Sequence, residues 1–216
     1  MSVTDVNVDR FRVVIVGHSF VSRLQTFVRS DRCRMTNMRL NPRKYDISFI
    51  GIPGASTRGR TSLQPALQGL GDRHADCVFI EIGSNDLCDV NIEPRRLARD
   101  IVSLARFVSV GYEPKCVVIG SILPREGPRW ESYNQRVVAT NRCLSVLAMS
   151  EPGIHYWRHR GFTRCAISPF SHDGVHPNLV QGMPKYVRSV RQAVLFFYFK
   201  TKTAPGTQSQ CGDGYH

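Results

Sequence analysis

Acidic residues are scarce in this chain: 17 Asp and Glu stand against 29 Lys and Arg, leaving a formal net charge of +12 at pH 7. A surface so short of carboxylates attracts phosphate or carboxylate partners. Long apolar runs are missing as well. The longest is Val194-Leu195-Phe196-Phe197-Tyr198-Phe199, against the roughly 20 residues that a spanning helix needs. The opening MSVTDVNVDR has no apolar core of a secretory signal. A soluble, intracellular and cytoplasmic protein is the expectation from these two absences. No C-x-x-C pair occurs, and the seven cysteines, at 33, 77, 88, 116, 143, 165 and 211, are scattered. Several fall in apolar stretches, which reads as reduced, buried thiols and not as a disulfide framework. There is no internal repeat.

What is present is an alternation. Strand-like runs at 11–16, 47–50, 76–82 and 115–121, with a weaker one at 154–157, are interleaved with helical stripes near 20–29, 60–70, 94–109, 131–149 and 182–199. Glu93-Pro94 ahead of Leu97, Ala98, Ile101 and Ala105, with Gly111 behind, punctuates one helix clearly. Such an order predicts a mostly parallel sheet with helices on both faces. A chain of 216 residues accommodates one such domain. Residues 11–199 form the expected domain, 1–10 a flexible start, and 200–216, rich in Thr, Gly, Gln and Ser, a disordered tail.

Four short blocks fall directly after strand-like runs, where ligands meet parallel sheets. Gly17-His18-Ser19 follows the first run and precedes a helical stripe, so the Ser19 hydroxyl belongs at a helix N-terminus, where free amides favour developing negative charge. Gly51-Ile52-Pro53-Gly54-Ala55-Ser56-Thr57 follows the second run, and a glycine there offers its amide with no Cβ in the way. Gly83-Ser84-Asn85-Asp86 follows the third and places an amide side chain over the same rim. Near the end, Asp173-Gly174-Val175-His176 supplies a base and a carboxylate. A serine hydroxyl is a weak nucleophile at neutral pH, so acyl transfer requires just such a base and such an orienting acid.

With these four blocks in this order the chain resembles the SGNH hydrolases, the GDSL-type esterase and lipase family, over roughly residues 11–199. The resemblance implies a three-layer α/β/α sandwich with a mostly parallel five-stranded, flavodoxin-like sheet. It implies Ser19 as nucleophile, His176 as base and Asp173 as its acid, with the Ser19 amide, Gly54 and Asn85 forming an oxyanion hole. The substrate it implies is a small-molecule, carbohydrate or lipid ester, with an O-acetyl or other short acyl group foremost. No cofactor and no metal are required. One position departs from the family, which usually has Asp where this chain has His18.

Each feature also has a plainer reading. Ser19 caps a helix as readily as it attacks a carbonyl, and Asp173-Gly174 makes an ordinary turn. His172 with His176 and His155 with His159 are four apart, the spacing of two metal ligands on a helix. Gly174 and Pro177 disrupt a helix at the first pair, and the second lies in a strand-like run, so no metal site is expected. Trp130, Trp157 and Phe170 line an acyl pocket or fill the core. Seven bases, Arg23, Arg29, Arg32, Arg34, Arg39, Arg43 and Lys44, lie within 22 residues with only Asp31 among them. That arginine-rich face supports an alternative, a catalytically silent module of the same fold that binds nucleic acid. By analogy it fits the family's esterase-like members carried by retroelement proteins.

Overall fold

The computed structural model describes residues 10–30, 36–163 and 166–203. Five strands, β1 (Phe11–Gly17), β2 (Tyr45–Gly51), β3 (Cys77–Glu81), β4 (Cys116–Gly120) and β5 (Ile154–Trp157), join in the order β2-β1-β3-β4-β5. Every neighbouring pair is parallel, so the sheet is wholly and not just mostly parallel. The four α-helices are α1 (Ser19–Arg29), α2 (Pro94–Tyr112), α3 (Glu131–Met149) and α4 (Gly182–Thr203).

Side chains of a strand alternate between its faces, and the two cores divide accordingly. Phe11, Val13 and Ile15 join Phe79 and Val118 under α1 and α4. Val14 and Val16 join Val78, Ile80, Val117 and Ile119 under α2 and α3. The central strands are therefore apolar along their length, as a sheet covered on both sides must be, and three α/β/α layers result.

The helical stripe expected at 60–70 is instead a run of 3₁₀ turns over Gln64–Arg73. Pro65, Gly69 and Gly71 fall within it, and residues of those two types cost an α-helix more than any others. At the other end α4 continues to Thr203, so the boundary expected at 199 lies inside a helix. Residues 1–9 and the rest of the expected tail, 204–216, lie outside the described residues. Cys77 and Cys116 are buried free thiols, Cys143 is half-buried and Cys88 is exposed, while Cys33, Cys165 and Cys211 lie outside the described residues. Among the described residues no helix is long and apolar enough to cross a membrane.

Candidate active site

The order of the strands reverses direction between β1 and β3, and in open parallel sheets the crevice outside such a switch point is where ligands bind. Register brings three of the four blocks there. Gly17 pairs with both Gly51 and Glu81, so Ser19, Gly54 and Asn85 leave the same edge within a few residues of one row. Packing at that row is tight. A Cβ on Gly17 would lie 2.1 Å from the Glu81 carbonyl oxygen, and one on Gly51 2.4 Å from the Ser22 nitrogen.

Ser19 is the first residue of α1. His18 caps the helix: its Nδ1 accepts from the Phe20 amide at 3.3 Å, and its carbonyl accepts from Val21 and Ser22. The Ser19 amide is thereby left as the terminal N–H, at the positive end of the helix dipole. An imidazole can cap in this way only with Nδ1 unprotonated. Burial lowers the His18 pKa from 6.5 to about 4, against the nearby Glu81 charge and together with the His176 and Arg125 charges, so the ring stays neutral.

From the far end of the chain, Asp173 folds its loop back on itself. Its Oδ1 accepts from the Val175 and His176 amides at 2.8 and 3.0 Å, and its Oδ2 lies 2.7 Å from His176 Nδ1. His176 Nε2 in turn lies 3.2 Å from Ser19 Oγ. Burial raises the Asp173 carboxyl pKa, but the hydrogen bonds from the His176 ring, the His176 amide and the Val175 amide outweigh it and hold the group well below the usual carboxylate range. Phe20 packs edge-on against the His176 ring, their centroids 5.7 Å apart. Gly174 has φ +66°, and a Cβ there would meet the Glu126 carbonyl at 2.4 Å. The Glu126 amide donates to the Gly174 carbonyl at 2.7 Å, which ties this loop to the segment that follows β4.

The oxyanion candidates sit on two loops that are bound together. Asn85 Nδ2 donates to the Ala55 carbonyl at 2.8 Å, and the buried Asp86 accepts from the Thr57 amide and hydroxyl at 2.9 and 2.7 Å. Gly54 adopts φ +78°, the left-handed region that favours glycine, and space is open where a Cβ would stand. Ser19, His176 and Asp173 are thus joined in one hydrogen-bonded chain, while Gly54 and Asn85 are joined to each other's loops.

Two further histidines, His155 and His159, have structural partners. His155 stacks on Phe197, and His159 is held between Glu81 and Ser189. Of the aromatics, Trp130 lies against Arg125, Trp157 donates to Ser189, and Phe170 is buried beside Phe162. Arg23, Arg39, Arg43 and Lys44 are exposed, and Arg32 and Arg34 lie outside the described residues.

Three parts of the site escape sequence reasoning. Directly beneath the switch point, the Glu81 carboxylate lies 2.9 Å from His159 Nε2, and His159 Nδ1 lies 2.8 Å from Ser189 Oγ, all within the core. A carboxylate ending an otherwise apolar buried strand was the available signal. Arg125 is sandwiched between Trp130 and Tyr133 at 4.4 and 4.3 Å, donates to the Ser84 carbonyl, and so braces the Asn85 loop. Asn178 gathers the amides of Val180, Gln181 and Gly182 at the start of α4 and donates back to Ser168 and Phe170.

Fold and site together define a three-layer α/β domain with a Ser–His–Asp chain at the carboxyl ends of its strands. No family model and no curated protein matches the sequence. Solved structures do match in shape. A carbohydrate acetylesterase, Est24 from Sinorhizobium meliloti, superimposes with a TM-score of 0.65 at 17% identity, over 87% of this chain and all of that one (100%). A GDSL-like lipase from Bacteroides thetaiotaomicron gives 0.62 at 18% identity, covering 87% and 89%. TesA gives 0.61 at 21% identity, covering 85% and 97%. The chain has the SGNH hydrolase fold, as its resemblance to that family implied.

Proposed function

We propose that this protein is a serine esterase that cleaves a short acyl group, such as an O-acetyl, from its substrate. The hydrogen-bonded chain from Ser19 Oγ through His176 to Asp173, at 3.2 and 2.7 Å, carries the reading. His176 Nε2 takes the Ser19 proton as Oγ attacks the acyl carbon, and the Asp173 carboxylate, low in pKa, stabilises the imidazolium that forms. The Ser19 amide, the Gly54 amide and the Asn85 side chain surround the oxyanion, each donor worth on the order of 3 kcal/mol of barrier. His176 then gives its proton to the leaving alcohol, and water repeats the sequence on the acyl-enzyme.

Beside the triad loop lies a cleft of about 320 Å³, walled by Arg125, Glu126, Asn134 and Phe170. That volume is at the small end of ligand pockets. The acetylesterases among the structures of like fold favour the same substrate class. The test is turnover of p-nitrophenyl acetate by the wild type and by Ser19→Ala. A wild-type rate that the variant loses supports the reading; equal rates remove it.

A further inference from the structure

β5 is an edge strand, and the helix that follows the triad loop, α4, packs beside it. Between them runs a groove of about 640 Å³ whose lining differs from that of the cleft beside the triad loop. Four of its residues are cations, Arg158, Arg160, Lys185 and Arg188, and two are aromatic, Trp157 and Phe196. Among the described residues no Asp or Glu lines it. Nor is any of the three arginines paired with a carboxylate among those residues.

Phe196 is 54% exposed, so one edge of its ring is open to solvent. Its centroid is 6.0 Å from that of Trp157, whose indole N–H is anchored on Ser189 Oγ at 3.1 Å. Along α4, Arg188, Gln192 and Phe196 follow one another at helical spacing, so one exposed face presents a cation and then a ring.

We propose that this groove binds single-stranded nucleic acid, with phosphates on Arg158, Arg160 and Arg188 and a base stacked on Phe196 beside Trp157. Guanidinium groups suit phosphate oxygens, and aromatic faces suit unpaired bases, which a duplex keeps hidden. The recess is concave, which fits a strand lying in it better than it fits a flat lipid surface. This surface is separate from the arginine-rich segment 23–44 and does not depend on the hydrolase reading.

The experiment is fluorescence anisotropy of a labelled 15-mer oligo(dT) titrated with the full chain at 50 and 200 mM salt. Three phosphate contacts give a log–log salt slope of about −2 for a single strand, a loss of roughly 20-fold between those two salts. Arg158→Glu with Arg188→Glu should weaken binding at least tenfold. Phe196→Ala, at an exposed site that tolerates truncation, should weaken oligo(dT) by about fivefold or more while leaving heparin binding unchanged. Ser19→Ala should bind as the wild type does. The proposal fails if the oligonucleotide does not bind at 50 mM salt, or if Phe196→Ala has no effect on it. It also fails if only Arg23→Glu with Arg43→Glu weakens binding, or if phosphatidylserine vesicles bind and oligo(dT) cannot displace them.

Discussion

His18 makes the stability of this protein depend on pH in a defined window. The ring is buried, caps α1 through an unprotonated Nδ1, and has its pKa lowered from 6.5 to about 4. In the unfolded chain it regains the ordinary value, so between pH 6.5 and 4 the unfolded state binds the proton that the folded state refuses. The contribution is fully present above pH 6.5 and disappears as the pH falls toward 4. Linkage from these two values gives a loss of about 2 kcal/mol between pH 7.5 and pH 5 and about 3 kcal/mol once the window is crossed. His155, lowered by its own burial and then by Lys200, acts in the same direction, so a control is needed. His18→Asn keeps a capping acceptor and removes the titration. Urea unfolding at the two pH values should show the wild type losing about 2 kcal/mol more than His18→Asn. Equal losses would refute the assignment of a neutral, capping His18. Asp173 does not confuse the measurement, because its depressed carboxyl costs stability only as the pH falls through and below its unfolded value of 3.8.

Asp173→Asn keeps the loop's side-chain acceptor but no longer fixes the His176 tautomer, and kcat should fall about 10⁴-fold; a loss below tenfold in ester turnover would contradict the triad. Asn85→Ala removes a proposed oxyanion donor, and kcat should drop about 10²- to 10³-fold with KM little changed; steady-state kinetics showing the loss wholly in KM would contradict that role. Gly120→Ala would set a Cβ 2.5 Å from Glu81 Oε2 and 3.0 Å from His159 Nε2. It should destabilise the fold by about 1–3 kcal/mol in urea, and an unchanged midpoint would contradict the tightness of that buried pair.

Much of this arrangement was legible in the sequence because its signals are local. The apolar runs that became β1, β3 and β4 and the punctuated α2 carry period and caps within a few residues. The Asp173–His176 contact is also local, closed by one turn. Its meeting with Ser19 spans 157 residues of sequence and was readable only through the order of the blocks. What stayed hidden depends on contacts between distant elements. Glu81 finds His159, and Arg125 finds Trp130 and Ser84, only once β3, β4 and the later loops are side by side. The groove along α4 likewise needs β5 next to a helix that begins well after it. Near 60–70 the apolar spacing suggested a helix, and over Gln64–Arg73 the backbone preferences of Pro65, Gly69 and Gly71 prevailed.

The central claim is that Ser19 is an activated nucleophile, and covalent labelling measures it directly. Folded protein is treated with a fluorophosphonate and the adduct is mapped by peptide mass spectrometry, with His176→Ala alongside. The expected result is one adduct on Ser19 in the wild type and almost none in the variant. An unlabelled Ser19, or labelling that does not depend on His176, would contradict the account.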